Sequence, residues 1–275
     1  MPHPLKPLID RAVAIVPLRP DAADAEVLGN LYSMRFQDIS ILHYIPFHHF
    51  LTLLRESRLH LNRLDTYSDG FEALYPEANR HSAGQMTDHF YTALPAHRDV
   101  DAMFASQQIH RRYGYIHCWF EGSHEDRDMW QDYGDSGTGV CIYSTTALLQ
   151  RAVSSPPEYL HFDLGRCFYR DEHEPIPELF SISPAFRKRR RYDKEQEIRL
   201  LGQIRMEHLP LDPEGCLAEA SDHQKLPVDT SVLIRQIITG PRMTPDRVGI
   251  VIQEASRILS PTLIRPSSFD STNGI

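Results

Sequence analysis

The sequence predicts an α+β fold: a single domain with a mixed, mostly antiparallel central sheet flanked by helices. Three observations point there. Apolar residues alternate with period two in several separate runs, as in half-buried strands. Elsewhere they recur at helical spacing, most clearly near the C-terminus. The chain of 275 residues, 41% apolar and 24% charged, has the length and composition of one ordinary globular domain.

Taken in order, residues 1–30 are rich in proline and alanine and read as a loosely ordered arm before a domain spanning 31–266. The first strand lies in "FQDISILHYI", where Ile39, Ile41, His43 and Ile45 alternate. Pro46 suits the first position of a helix, and Phe47, Phe50, Leu51 and Leu54 place that helix near 46–57. "RLHLNRL" alternates again and runs into the turn "YSDGFE", where Gly70 supplies backbone freedom. Residues 73–112 are polar and aperiodic, which predicts an insertion of short helices and loops over the site side of the fold.

"YGYIHCWF" is an aromatic-rich strand. "DMWQDYGDSGTGVCIYS" then reads as a helix end, a three-glycine loop and a strand, and "STTALLQRA" as a capped helix from about Ser144. "YLHF" and "RCFYR" are strand-like. In "KEQEIRLLGQI" a strand would put Glu195, Glu197 and Arg199 on one face. "SVLIRQIITG" reads as the last core strand. Thr244 as N-cap and Pro245 as first residue open a helix whose apolar stripe runs from Val248 through Val251, Ile252, Ala255 and Ile258 to Leu259. Residues 267–275 read as a frayed tail.

Composition narrows the classes. No apolar run approaches the ~20 residues that cross a bilayer, and the first residues lack the compact apolar core and cleavage site of a signal peptide. The four cysteines form no C-x-x-C pair and no dense disulfide framework. Together these predict a cytoplasmic protein without membrane contact. The net charge of −8 disfavours nucleic-acid binding by the whole surface, with one local exception in the basic run 187–191. The fifteen histidines show no zinc-ligand spacing. No H-E-x-x-H, P-loop or G-x-S-x-G motif appears, so zinc-protease, P-loop hydrolase and α/β-hydrolase readings are unsupported.

A series of short motifs stands in a particular order: Leu42-His43-Tyr44, Asp69-Gly70-Phe71-Glu72, Cys118-Trp119-Phe120, Met129-Trp130 with Tyr133, Gly139-Val140-Cys141, Glu195 and Glu197 with Arg199, and Ile237 to Pro241. In this order the chain resembles the bacterial family known as domain of unknown function 2971 over residues 40–245. That family has no assigned activity, so the resemblance implies a fold and no mechanism. Where the family has Asn-Asp-Pro-Phe, this chain has Ser68-Asp69-Gly70-Phe71, keeping the turn and losing its rigid proline. A second similarity, at the level of fold, is to ADP-ribosyltransferases, through a His-Tyr first strand and a late Glu-x-Glu strand. It implies an NAD-dependent enzyme, of the kind found among bacterial toxins and phage-defence effectors.

The candidate site residues follow. His43 and Tyr44 suit a ribose hydroxyl and a nicotinamide ring, or else a buried pair in a core strand. Glu195 and Glu197, with His43, are the candidate catalytic residues. Two carboxylates so close can raise one another's pKa or leave one to bind a ribose hydroxyl, and in the transferase reading Glu197 is that carboxylate, stabilising an oxocarbenium; they also suit a solvated face with Glu197 paired to Arg199 or to the basic run. Arg199, Glu72 and Trp130 complete the candidate NAD contacts, Trp130 as one wall of a cleft or as core packing. Arg187, Lys188, Arg189, Arg190 and Arg191 suit a phosphate or nucleic acid, or a face balanced by nearby acid. Three functions are thus in play: ADP-ribosyl transfer from NAD, a non-catalytic nucleic-acid or protein-binding module built on the basic run, and a metal-dependent phosphodiesterase using Asp69, Glu72 and Glu195.

Overall fold

The computed structural model describes residues 38–67, 73–74, 108–153, 156–171, 173–174, 183–211 and 218–269. The expected arm at 1–30, Asp69 and Glu72 of the acidic turn, and most of the expected insertion lie outside the described residues. The fold is α+β, with one mixed, mostly antiparallel sheet flanked by helices.

The chain enters the sheet as β1 (Ser40–Ile45), crosses through helix α1 (Phe47–Glu56) and returns as β2 (Arg58–Arg63). Pro46 is the N-cap, one residue outside the expected helix start. After β3 (Gly114–Glu121) come helix α2 (Arg127–Asp132), β4 (Val140–Thr145) and helix α3 (Thr146–Ala152). The cap of α3 is Thr145 rather than Ser144, its hydroxyl accepting from the Leu148 amide at 3.3 Å. Then follow β5 (Leu160–Arg166), β6 (Phe168–Arg170), β7 (Arg187–Arg189) and β8 (Glu197–Ile204). The last elements are β9 (His223–Pro227), helix α4 (Thr230–Leu233), β10 (Gln236–Thr239), helix α5 (Pro245–Ala255) and β11 (Ile264–Pro266).

Three local readings need correction. "SVLIRQIITG" is a helical turn followed by a strand, because the Asp229 carboxylate accepts from the Ser231 and Val232 amides and caps α4. Helix α5 stops at Ala255, and the Thr244 side chain makes no capping bond. The C-terminal segment is docked as far as Phe269, since Ser267 and Ser268 both donate to Glu125.

The strands run in the order β11-β10-β4-β1-β3-β2-β9, with β8 between β3 and β5. One feature of this order shapes the molecule. β8 pairs with β3 all the way from Gly114 to Phe120 and so occupies one whole edge. The other edge of β3 is shared: β1 pairs at Phe120 and Glu121, β2 at Tyr115 and Ile116. Both are antiparallel to β3 and therefore parallel to each other, and between them His117, Cys118 and Trp119 have no strand partner on that edge. The sheet splits there.

Strand alternation assigns the faces. Ile41, Ile45, Trp119, Ile142, Ile198 and Ile237 face α1, α3 and α5 in the main core. On the other face lie two smaller apolar groups, Leu42, Tyr44, Phe120, Trp130, Cys141 and Ile238 in one and Leu64, Ile116, Phe186 and Leu201 in the other.

The glycine loop of the α2–β4 connection is pressed against backbone. Gly137 has a φ of 83°, and a Cβ on Gly240 would lie 2.3 Å from the Gly137 carbonyl oxygen. Gly240→Ala is therefore expected to lower unfolding free energy by about 1–3 kcal/mol through overpacking. Gly249→Ala, in α5 with open space around it, is expected to be neutral or stabilising by up to about 1 kcal/mol. Urea denaturation of the two variants side by side checks the contrast; equal effects would refute it.

A candidate ligand cleft in the split sheet

The split opens into a cavity of about 800 Å³, lined by residues of β1, α1, β2, β3 and β9 and by the segment from Lys188 to Glu197. Because it forms where one strand gives way to another, it is lined from both faces of the sheet. His43, His117 and Trp119 belong to the helix-covered side, and Glu197 and Cys118 to the other, as the pairing of Glu197 with Phe120 and of Arg199 with Cys118 requires.

His43 bridges the gap. Its Nδ1 lies 3.1 Å from the Cys118 carbonyl oxygen, which takes the place of a missing strand contact. A carbonyl only accepts, so Nδ1 carries the proton and Nε2 is left as an acceptor. Burial pushes the imidazole down to about 4, against a partial upward pull from the Cys118 carbonyl, so it is neutral at pH 7. The ring is surrounded by protein while one side is reached from the cavity.

Tyr44 points to the opposite face from His43. It is 4% exposed, its ring meets Trp130 edge-on at 5.0 Å, and its hydroxyl accepts from the Asp126 amide at 2.7 Å. Tyr44 also borders the cavity, but its ring packs on Trp130 and its hydroxyl is bonded to Asp126, so little of it is open to a nicotinamide ring. Trp130 is likewise fully buried, its indole donating to Glu125 at 3.0 Å. It stands one layer behind the cavity wall, which Met129 and Tyr133 supply instead.

The carboxylates sit in a buried charged cluster. Glu195 is not on the strand. It ends a 3₁₀ turn, Arg190–Glu195, and Gln196 in the left-handed region (φ 38°) turns the chain into β8 at Glu197. The two carboxylates nevertheless converge, because Lys188 lies between them, donating to Glu195 and, at 2.8 Å, to Glu197. Arg199 grips Glu197 from the other side through Nε at 2.8 Å and Nη2 at 3.2 Å, and also donates to the Ala185 carbonyl. Exposure falls along the series, from 12% for the Lys188 side chain and 10% for Glu195 to 5% for Glu197 and none for Arg199.

The electrostatics follow. Burial alone would raise Glu197, but the charges of Arg199 and Lys188 outweigh it and bring its carboxyl down to about 2. Glu197 is thus lowered rather than raised in its setting, because Lys188 and Arg199 are both bonded to it. Lys188 is raised despite burial, chiefly by Glu197. Burial and then Glu197 raise the Cys118 thiol, which stays protonated and donates to that carboxylate. Tyr133 donates to Glu195 from the cavity wall. Arg199, fully buried and bonded to Glu197, does not reach a ligand.

The basic run does not form one exposed patch. Arg187 is 2% exposed and donates to the carbonyls of Leu74 and Asp171, each at 3.2 Å. Lys188 belongs to the buried cluster, and Arg190 is tied to Glu174 at 2.8 Å. Arg189, half-buried, is the last residue of β7. Arg191 lies over the ring of Tyr192, a cavity-lining residue, at 4.7 Å. Alternation along β7 and the following turn scatters the five cations.

Three features were invisible in the sequence. Glu125 is a buried hub that accepts from Trp130, Arg265, Ser267 and Ser268; these bonds outweigh burial and hold its carboxyl below the usual range. Arg58, His60, His223 and Lys225 rim the cavity on β2 and β9. His117 joins His43 at 4.4 Å between ring centroids. Among the described residues no group of three or more His, Cys, Asp or Glu is placed to hold a metal ion, and no helix is long and apolar enough to cross a membrane.

Fold and cavity define an α+β protein whose central sheet divides around a ligand-sized cleft, with a neutral histidine end and an ionised carboxylate end. Comparison with family models, with curated proteins and with solved structures gives no match.

Proposed function

We propose that the protein is an NAD-dependent enzyme that transfers the ADP-ribosyl group. The observation that supports this most is the division of chemistry within one cleft: a neutral acceptor on His43, a carboxylate pair held by Lys188, aromatic walls and a cationic rim. These groups offer chemistry suited to the parts of a dinucleotide. Flat walls suit rings, Nε2 of His43 suits a ribose hydroxyl, and Arg58 suits the pyrophosphate, with Lys225 beside it paired to Glu56 at 2.8 Å. A volume of about 800 Å³ is within the range of small-molecule sites.

In this reading the bond between C1′ of the ribose and the nicotinamide nitrogen breaks, its electron pair leaving with nicotinamide. Positive charge develops on the ribose and a carboxylate stabilises it. Glu195 takes this contact, since of the two glutamates lining the cavity it is the more exposed, while Glu197 is held by both Arg199 and Lys188. Glu197 is then a positioning residue that fixes Lys188. An acceptor hydroxyl or water attacks C1′ and its proton passes to solvent.

The test is nicotinamide release from NAD by purified protein, with and without cell extract. Release is expected, falling about 100-fold in His43→Phe as the ribose loses its anchor. No release in any extract, or full activity in His43→Phe, would refute the reading.

A further inference from the structure

The C-terminal segment and the carboxylate end of the cleft meet at the same short helix, α2. Just before that helix, Glu125 accepts from Arg265 at 2.8 Å, from the Ser268 amide at 3.0 Å and from the Ser267 hydroxyl. It also takes the indole N–H of Trp130, in α2, at 3.0 Å. Phe269 packs against the apolar group that contains Trp130, and Arg127, the first residue of α2, lies over its ring at 5.4 Å. From its other end the helix reaches the cleft. Tyr133, its C-cap, donates to Glu195, and Lys194 of the same 3₁₀ turn bonds Asp128 at 3.1 Å.

We propose that the segment from Ile264 to Phe269 is a releasable clasp, and that Glu125 is the positioning residue through which the clasp sets the carboxylate end of the cleft. The clasp itself is lightly held. β11 has three residues, lies at the sheet edge, pairs with β10 alone among the described strands and contributes no fully buried side chain. Segments of this kind open locally at low cost. Glu125 is the opposite case, with a side chain 1% exposed and three of its four donors supplied by the clasp. Once the clasp leaves, only Trp130 remains to it, and a carboxylate buried with so little compensation is costly. Glu125 must then turn to water, which releases the Trp130 indole and loosens α2. Tyr133 follows, and with it the bond to Glu195. The charge of Glu125, rather than proximity alone, makes clasp and cleft wall move together.

Amide hydrogen exchange, followed by NMR on the full chain at pH 7, tests this without reference to any ligand. The reporters are the amides of Trp130, Tyr133 and Gln196, bonded to the carbonyls of Asp126, Met129 and Asp193; those of Phe50 and Ser57, at the two ends of α1, are the controls. In Arg265→Met the three reporters are expected to exchange about tenfold faster with the controls unchanged. Adding Glu125→Gln to Arg265→Met is expected to restore most of the protection, because no bare carboxylate is left to seek water. Reporters that exchange as in the wild type, or a change that stops at Trp130 and spares Gln196, would overturn the clasp. So would equal acceleration of the controls, or a double variant no better protected than Arg265→Met, since either marks plain loss of stability. In the transferase reading, kcat for nicotinamide release falls about tenfold in Arg265→Met and recovers in the double variant. The expected exchange pattern in a protein that releases no nicotinamide would keep the clasp and sink that reading.

Discussion

Arg199→Met is expected to lower the unfolding free energy by about 3–5 kcal/mol, the cost of leaving a buried carboxylate without its main partner. Arg199 is fully buried and makes two bonds to Glu197. Lys188 alone cannot compensate, since it is shared with Glu195. Urea denaturation measures the loss, with an unchanged m-value showing that the fold is kept. The double variant Arg199→Met with Glu197→Gln is expected to recover part of it, because no bare charge remains. A loss under 1 kcal/mol would mean that the cluster is hydrated and the pair carries little energy.

The same pair sets an acid limb. The folded-state carboxyl of Glu197 lies at about 2, below its ordinary 4.5, so the folded protein binds fewer protons there than the unfolded chain. Its contribution is complete above the ordinary value and is lost as pH falls towards 2. In Glu197→Gln this contribution is absent, and stability plotted against pH is expected to flatten over that window.

Glu195→Gln is expected to reduce nicotinamide release by about 10²–10³ in kcat, the usual effect of removing one preorganised group that stabilises transition-state charge. Stability should hardly change, because Lys188 keeps Glu197 as its partner at 2.8 Å. This separates the two glutamates. In Glu197→Gln any activity loss should come with a loss of stability, whereas in Glu195→Gln it should come without. Nicotinamide release and denaturation on the same samples decide it, and an active Glu195→Gln would remove that residue from the mechanism.

Much of the site was legible, though not its assembly. Period-two alternation found β1 and β2 and aromatic enrichment found β3, while β8 was read as a strand carrying the glutamates; these strands hold His43, His117 and Glu197. The same alternation, applied to neighbours, separates His43 from Tyr44 by the thickness of the sheet. β9 and β11 gave no signal because they lie at sheet edges: Leu226 is the one buried side chain of β9, and β11 has none. An apolar, β-branched run at 231–240 resembled one strand, and a single capping aspartate divided it. The basic run looked uniform because composition carries no direction; pairing of β7 with β6 and the turn after it sent its members apart.

Local chemistry was enough to place an α+β sheet and to single out His43, Glu195 and Glu197. Adjacent residues and short periods act through the backbone, and that information is written in sequence. The cleft depends on β1 and β2 sharing one edge of β3, and the full pairing of Glu197 on Lys188 reaching it from β7, beside Arg199 on its own strand. Those contacts join residues brought together only by packing, so the tertiary structure alone decided where the charges are paired and which groups remain for a ligand.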